Sequence, residues 1–153
     1  MTRQVSARIV IDADAATVFD VLADPAQHAL FDGSGTVKAA LSGPPRLYLG
    51  ARFGMRMHWG APYVIRNVVI EYDEDRRIAW RHFARHVWRY ELAPADDAIG
   101  TPATAVTETF DWSPAPLGFA YERLGFVAHN IEAIDATLQR LKVLVESRAL
   151  TVR

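Results

Sequence analysis

After Pro114 and Pro116 the hydrophobic period of this chain changes from two to about 3.6, and that switch restricts the folds open to it more than any other feature. Downstream, Val127, Ile131, Ile134, Leu138, Leu141 and Val145 fall on one face of a long helix. Upstream, short alternating runs dominate. Strands followed by a closing helix specify an α+β domain in which the helix covers one face of an antiparallel sheet. Twenty helical residues span about 30 Å, so this helix can lie along the whole sheet. Gly118 and Gly125 weaken its start and are expected to kink it or split off a short leading helix.

The first run, Arg3 to Ile11, places Val5, Ala7, Ile9 and Ile11 on one side of a strand. Asp12 or Asp14 can cap a helix over AATVFDVLAD, with Val18, Phe19 and Leu22 as its stripe, before Pro25 interrupts; a second short helix is expected over Ala26 to Phe31. A brief strand from Thr36 to Leu41 precedes the break at Pro44 and Pro45. Further strands are expected at about Arg52 to Trp59, Tyr63 to Tyr72, Arg77 to Phe83, Val87 to Leu92 and Thr104 to Trp112, with polar turns at DEDRR and at Ala93 to Asp96. At 153 residues, half of them hydrophobic, the chain is read as one domain over 1–153 with no linker or repeat.

Composition narrows the function classes. A formal net charge of −1 and no long block of like charges leave no electrostatic footprint for nucleic acid. The absence of cysteine removes disulfides, thiolate metal sites and a cysteine nucleophile. Arg3, Arg8 and Asp12 interrupt any apolar leader or membrane span, so a cytoplasmic protein without integral membrane association is expected, as a monomer or weak homodimer. No phosphate-binding glycine loop or P-loop is present, and no cofactor is expected.

The order of strand, two short helices, strand meander and closing helix is the helix-grip arrangement. The segments VIDADAATVFDVLADPAQHALFDGSG, RRIAWR, WRYEL and TAVTETFDWSP, together with the last helix, make the chain resemble the START-like (SRPBCC) superfamily, which includes polyketide cyclase/dehydrase and lipid-transport proteins. The resemblance covers nearly the whole chain. It implies a curved antiparallel sheet of six to seven strands around the C-terminal helix, and a cavity for a lipid, polyketide or aromatic metabolite. Members of the superfamily include binders of lipids, sterols and hormones, aromatase/cyclases and co-chaperone domains; they share no catalytic motif, so no catalytic residue is carried over.

The pocket face follows from alternation. Ile78, Trp80 and His82; His86, Trp88, Tyr90 and Leu92; and Val106, Glu108, Phe110 and Trp112 are read as inward, because the opposite set, with Arg81, Arg89, Glu91 and Asp111, suits a solvated face. Phe53, Met55, Met57 and Trp59 are inward by the same logic. In the strand from Tyr63 to Tyr72, Val68, Ile70 and Tyr72 look inward, a register that also turns Arg66 inward and calls for a bulge or a pocket-mouth position. The candidate ligand-binding residues are Met55, Met57, Trp59, Trp80, Trp88, Phe110, Trp112 and Phe126, an aromatic and thioether wall that would also serve as ordinary core.

His82, Tyr90 and Glu108 are the polar exceptions and the candidate catalytic residues. In one reading Glu108 or His82 abstracts a proton beside a carbonyl while Tyr90 donates to the enolate oxygen; in the other the three form a structural network. The HxxxH spacing of His82 and His86 straddles a predicted hairpin with no acidic residue between, so no metal is assigned. HALFDGSG, with His28 and Asp32, is either a gating loop or, as its glycines favour, a helix-to-strand turn.

Overall fold

In the computed structural model, which describes residues 2–95 and 100–151, the first alternating run becomes β1 (Gln4–Ile11), with Val5, Ala7, Ile9 and Ile11 toward the core as expected. Of the two candidate caps, Asp14 holds α1 (Ala15–Leu22): its Oδ1 accepts from the Thr17 backbone N–H at 2.8 Å. Val18, Phe19, Val21 and Leu22 are buried. Pro25 opens a 3₁₀ turn (Pro25–Gln27) that leads into the single turn α2 (His28–Phe31), so the expected second helix is split.

Six strands follow: β2 (Val37–Ser42), β3 (Arg52–Trp59), β4 (Ala61–Asp73), β5 (Arg77–Arg81), β6 (Val87–Ala95) and β7 (Ala103–Asp111). They form one antiparallel sheet with β1, in the order β1-β7-β6-β5-β4-β3-β2. Successive hairpins account for every pairing except the one that returns β1 to the far side of β7. β6 continues through Ala93–Ala95, where a turn was expected; Asp96 lies outside the described residues. β5 ends at Arg81, two residues early, because the chain turns over His82–Arg85 with Arg85 at φ +67°.

The bulge in β4 resolves the inconsistent register. Val69 pairs with Trp80, but Glu71 pairs with Ala79, leaving Ile70 as the extra residue. Tyr63, Ile65, Asn67 and Val69 therefore face the core before the bulge, and Tyr72 faces it afterwards. The expectation that Val68 and Ile70 point inward is corrected, and Arg66 stays in solvent. Counting back from Tyr72 misses the one-residue change of phase.

Gly125, at φ +77°, separates α3 (Gly118–Arg123) from α4 (Phe126–Thr151), the split expected from its position. The 26 residues of α4 extend about 39 Å across the concave face of the sheet. Ile134, Leu138, Leu141 and Val145 are fully buried, each worth about 1.5–3 kcal/mol. Ile131, expected on this face, is exposed: the first turns of α4 turn Phe126, His129, Asn130 and Ala133 toward a cavity and leave Ile131 outside it. Near the middle of α4 the α2–β2 loop comes so close that a Cβ on Gly33 would lie 2.3 Å from the Thr137 backbone nitrogen; the Gly33 N–H instead donates to Thr137 Oγ1 at 2.9 Å. No helix among the described residues is long and apolar enough to cross a membrane.

Candidate functional site

The sheet curves away from the first turns of α4 and leaves a cavity of about 750 Å³ between them. That is the size of a small-molecule site. Cross-strand register sets its inner wall. Tyr90 of β6 lies directly between Ile78 and Glu108, and Trp88 between Trp80 and Phe110. Met55 and Met57 of β3, opposite Ile65 and Tyr63 of β4, continue the wall.

Two polar groups are sunk into this apolar surface. The Tyr90 hydroxyl donates to Glu108 Oε1 at 2.8 Å, and Glu108 Oε2 has no hydrogen-bond partner among the described residues. Burial pushes the Glu108 carboxyl up to about 8; the Tyr90 hydrogen bond opposes the rise and the charge of Asp32 adds to it. At neutral pH the carboxyl is therefore mostly protonated. With Oε1 accepting from Tyr90, its proton resides on Oε2, which makes that oxygen a donor. Burial, and then the neighbouring Glu108, hold the Tyr90 phenol well above its ordinary value, so it stays neutral.

His28 forms another part of the wall. Its ring stacks on Trp80 at 4.8 Å and lies edge-on to Phe53, and its Nε2–H donates to the Leu22 carbonyl at 2.9 Å. Burial lowers it to about 4 despite that hydrogen bond, so it is a neutral ring at pH 7. Asp32 closes the turn that follows: Oδ1 accepts from the Ser34 amide and hydroxyl, and Oδ2 from the Val37 amide. This is the helix-to-strand turn that its glycines favour.

At the rim, His82 and His86 meet with ring centroids 4.0 Å apart, and His86 Nδ1 bonds the Tyr121 hydroxyl of α3 at 2.9 Å. Burial, then His82, lowers His86 to about 3, and burial lowers His82 as well. His82 Nδ1 accepts from the Ala84 N–H at 3.1 Å, which places the ring proton on Nε2. Across the mouth, half-exposed Trp59 stacks on His129 of α4 at 5.0 Å and meets Phe126 edge-on at 4.9 Å. No group of three metal-ligating side chains forms among the described residues.

Of the residues singled out from sequence, Met55, Met57, Trp59, Trp80, Trp88, Phe126, His82, Tyr90 and Glu108 line the cavity. Tyr90 and Glu108 are joined directly; His82 bonds within its own turn. Phe110 and Trp112 do not line it. α3 folds over that end of β7, where Phe110 packs against Trp88 and Tyr121, and Trp112 stacks behind it with Nε1 donating to Glu122. Sequence reasoning missed Tyr63, Asn67, Tyr121 and His129 as lining residues. The β4 bulge hid the first two, and the packing of α3 and α4 against the rim decides the others.

The fold is that of protein Ms6760 from Mycobacterium smegmatis, matched with a TM-score of 0.69 at 16% identity over 96% of this chain and 93% of that one. It is also that of the di-domain ARO/CYC StfQ from the steffimycin biosynthetic pathway, with a TM-score of 0.62 at 12% identity over 97% of this chain and 52% of that one. In sequence, the uncharacterized protein Rv0088 of Mycobacterium tuberculosis is 36% identical over 144 residues, which is 90% of this chain and 62% of that protein. The chain thus spans less than two thirds of the length of the curated relatives it matches. Residues 2–146 match the family model described as polyketide cyclase / dehydrase and lipid transport, and the chain belongs to that family.

Proposed function

We propose that this protein binds and carries a hydrophobic small molecule, such as a lipid, polyketide or aromatic metabolite, in the space between its sheet and α4. The cavity itself carries this reading: about 750 Å³ walled mainly by Trp, Met, Phe and Tyr side chains, with an opening at Trp59 and His129. A well-packed interior leaves few voids larger than a water molecule, so a space of this size in an otherwise packed core is built to be filled. The neutral Glu108–Tyr90 pair selects among apolar ligands, because its free donor favours one that presents a carbonyl or hydroxyl oxygen deep in the site.

A second reading, an enzyme of the cyclase, dehydratase or aromatase type, is favoured by that same pair. A protonated Glu108 donating to a carbonyl oxygen would activate that carbonyl for addition of an enol carbon of the same substrate: the new C–C bond forms as the C=O π bond breaks, the oxygen takes the Glu108 proton, and the proton released by the enol hydroxyl restores the carboxyl. In this scheme Glu108 is the acid rather than the base, and His82, with its proton on Nε2, is a donor as well. One experiment separates the two readings. Native mass spectrometry of the purified protein, followed by extraction, should release a bound apolar compound. If that compound is returned unchanged after incubation with the protein, carriage stands. Conversion to a cyclised or dehydrated product, lost in Glu108→Gln, assigns catalysis. Protein that neither retains a ligand nor takes up apolar probes such as naphthylamine dyes would overturn both.

A further inference from the structure

The convex face of the sheet carries a second concavity, a cleft of about 500 Å³ bounded by Arg52, Arg66, Arg81 and Arg85. Register places the first three together: Arg52 and Arg81 flank Val68 in one cross-strand row, and Arg66 lies two residues along β4, opposite Gly54. No carboxylate lines the cleft. None of the four guanidinium groups makes an ion pair among the described residues, whereas Arg77 and Arg89, further along the same face, each hold a glutamate, Glu91 and Glu71 respectively. The chain has 18 acidic residues against 17 basic ones, so shortage of carboxylates does not explain the contrast. Four cations gathered round a hollow repel one another, and that arrangement is relieved by an anion between them.

The hollow itself has a specific cause. Gly54 contributes no side chain to the cleft, and a Cβ there would stand 2.7 Å from the Ser42 hydroxyl. Ser42 also lines the space and offers a neutral donor. Planar guanidinium forks match the oxygens of a tetrahedral oxyanion, and several of them together suit a multiply charged one. We propose that this cleft is an oxyanion site for a phosphate group, formed by Arg52, Arg66, Arg81 and Arg85 over the gap left by Gly54. His82 and Phe83 border both this cleft and the large cavity, so the phosphate is either free or the headgroup of an amphiphile reaching the protein at that turn. The site does not depend on what fills the cavity.

The test is a titration of the full chain with inorganic phosphate at constant ionic strength, followed by the arginine side-chain N–H resonances. Saturable shifts at the four arginines are expected, with affinity falling about tenfold or more in an Arg66→Gln/Arg81→Gln double variant and staying unchanged in Arg77→Gln. Gly54→Ala keeps every charge while filling the hollow, and should weaken phosphate in the same way. Shifts that chloride reproduces, or an Arg77→Gln variant as weak as the double variant, would overturn the site. Sedimentation with phosphatidylcholine vesicles, with and without phosphatidylglycerol, identifies the source: retention only on the anionic vesicles assigns a headgroup, and no retention assigns free phosphate.

Discussion

Glu108 illustrates how one buried carboxyl shapes both stability and chemistry. Its value in the folded protein is about 8 against an ordinary 4.5, so between those limits the folded state holds a proton that the unfolded state has released. Stability from this group is complete below about pH 4.5 and is lost as the pH rises through about 8. Glu108→Gln keeps an acceptor for Tyr90 and has nothing to ionise. It should match the parent protein at pH 5 and exceed it by several kcal/mol at pH 9 in urea denaturation; equal stability at both pH values would place the carboxylate in a solvated environment. The Tyr90–Glu108 pairing was legible in sequence because both residues sit on unbroken alternating strands, where parity alone fixes the face. His28 was not, because nothing in HALF reveals that the ring would stack on Trp80 and be neutralised by burial.

Among the elements, β4 and the α2–β2 loop show where alternation stops being a guide. A single unpaired residue, Ile70, reverses the sense of everything before it, which misdirected Val68 and concealed Tyr63 and Asn67. The arginine cleft was hidden for a related reason: it exists only in the register of β3, β4 and β5, and the near-zero net charge averages it away. The loop approach depends on Gly33, whose absent side chain lets α2 and β2 reach the middle of α4. Gly33→Ala should drive a methyl group into the backbone of that helix and lower the unfolding free energy by about 1–3 kcal/mol, an overpacking penalty visible in chemical denaturation. Gly35→Ala, with open space around its Cβ but φ +71°, should lose less, about 1 kcal/mol.

For the whole molecule, the fold class, the strand order implied by a meander and the position of the closing helix were all present in the change of hydrophobic period. The depth and contents of the cavity were not, since they depend on how far the sheet curves from α4. The ionisable groups in its wall give the molecule a bell-shaped pH response. His28 at about 4 and His86 at about 3, with His82 also lowered, lie below their ordinary 6.5, so stability falls as the pH drops below about 6.5 and these rings must take up protons. Glu108 supplies the opposite slope, and with two or three rings opposing one carboxyl below pH 6.5, thermal unfolding should show a maximum near that value. Stability that only falls between pH 4.5 and 8, with no rise toward pH 6.5, would mean that the histidines are solvated. The pairing of β1 with β7 has a further consequence, for biosynthesis. Gln4 meets Asp111 and Ile11 meets Thr104, so β1 must wait until more than ninety further residues have been made before it can bond to its neighbour. During that interval its alternating edge is open to mispairing, and a charge such as that of exposed Arg8 disfavours edge-to-edge pairing.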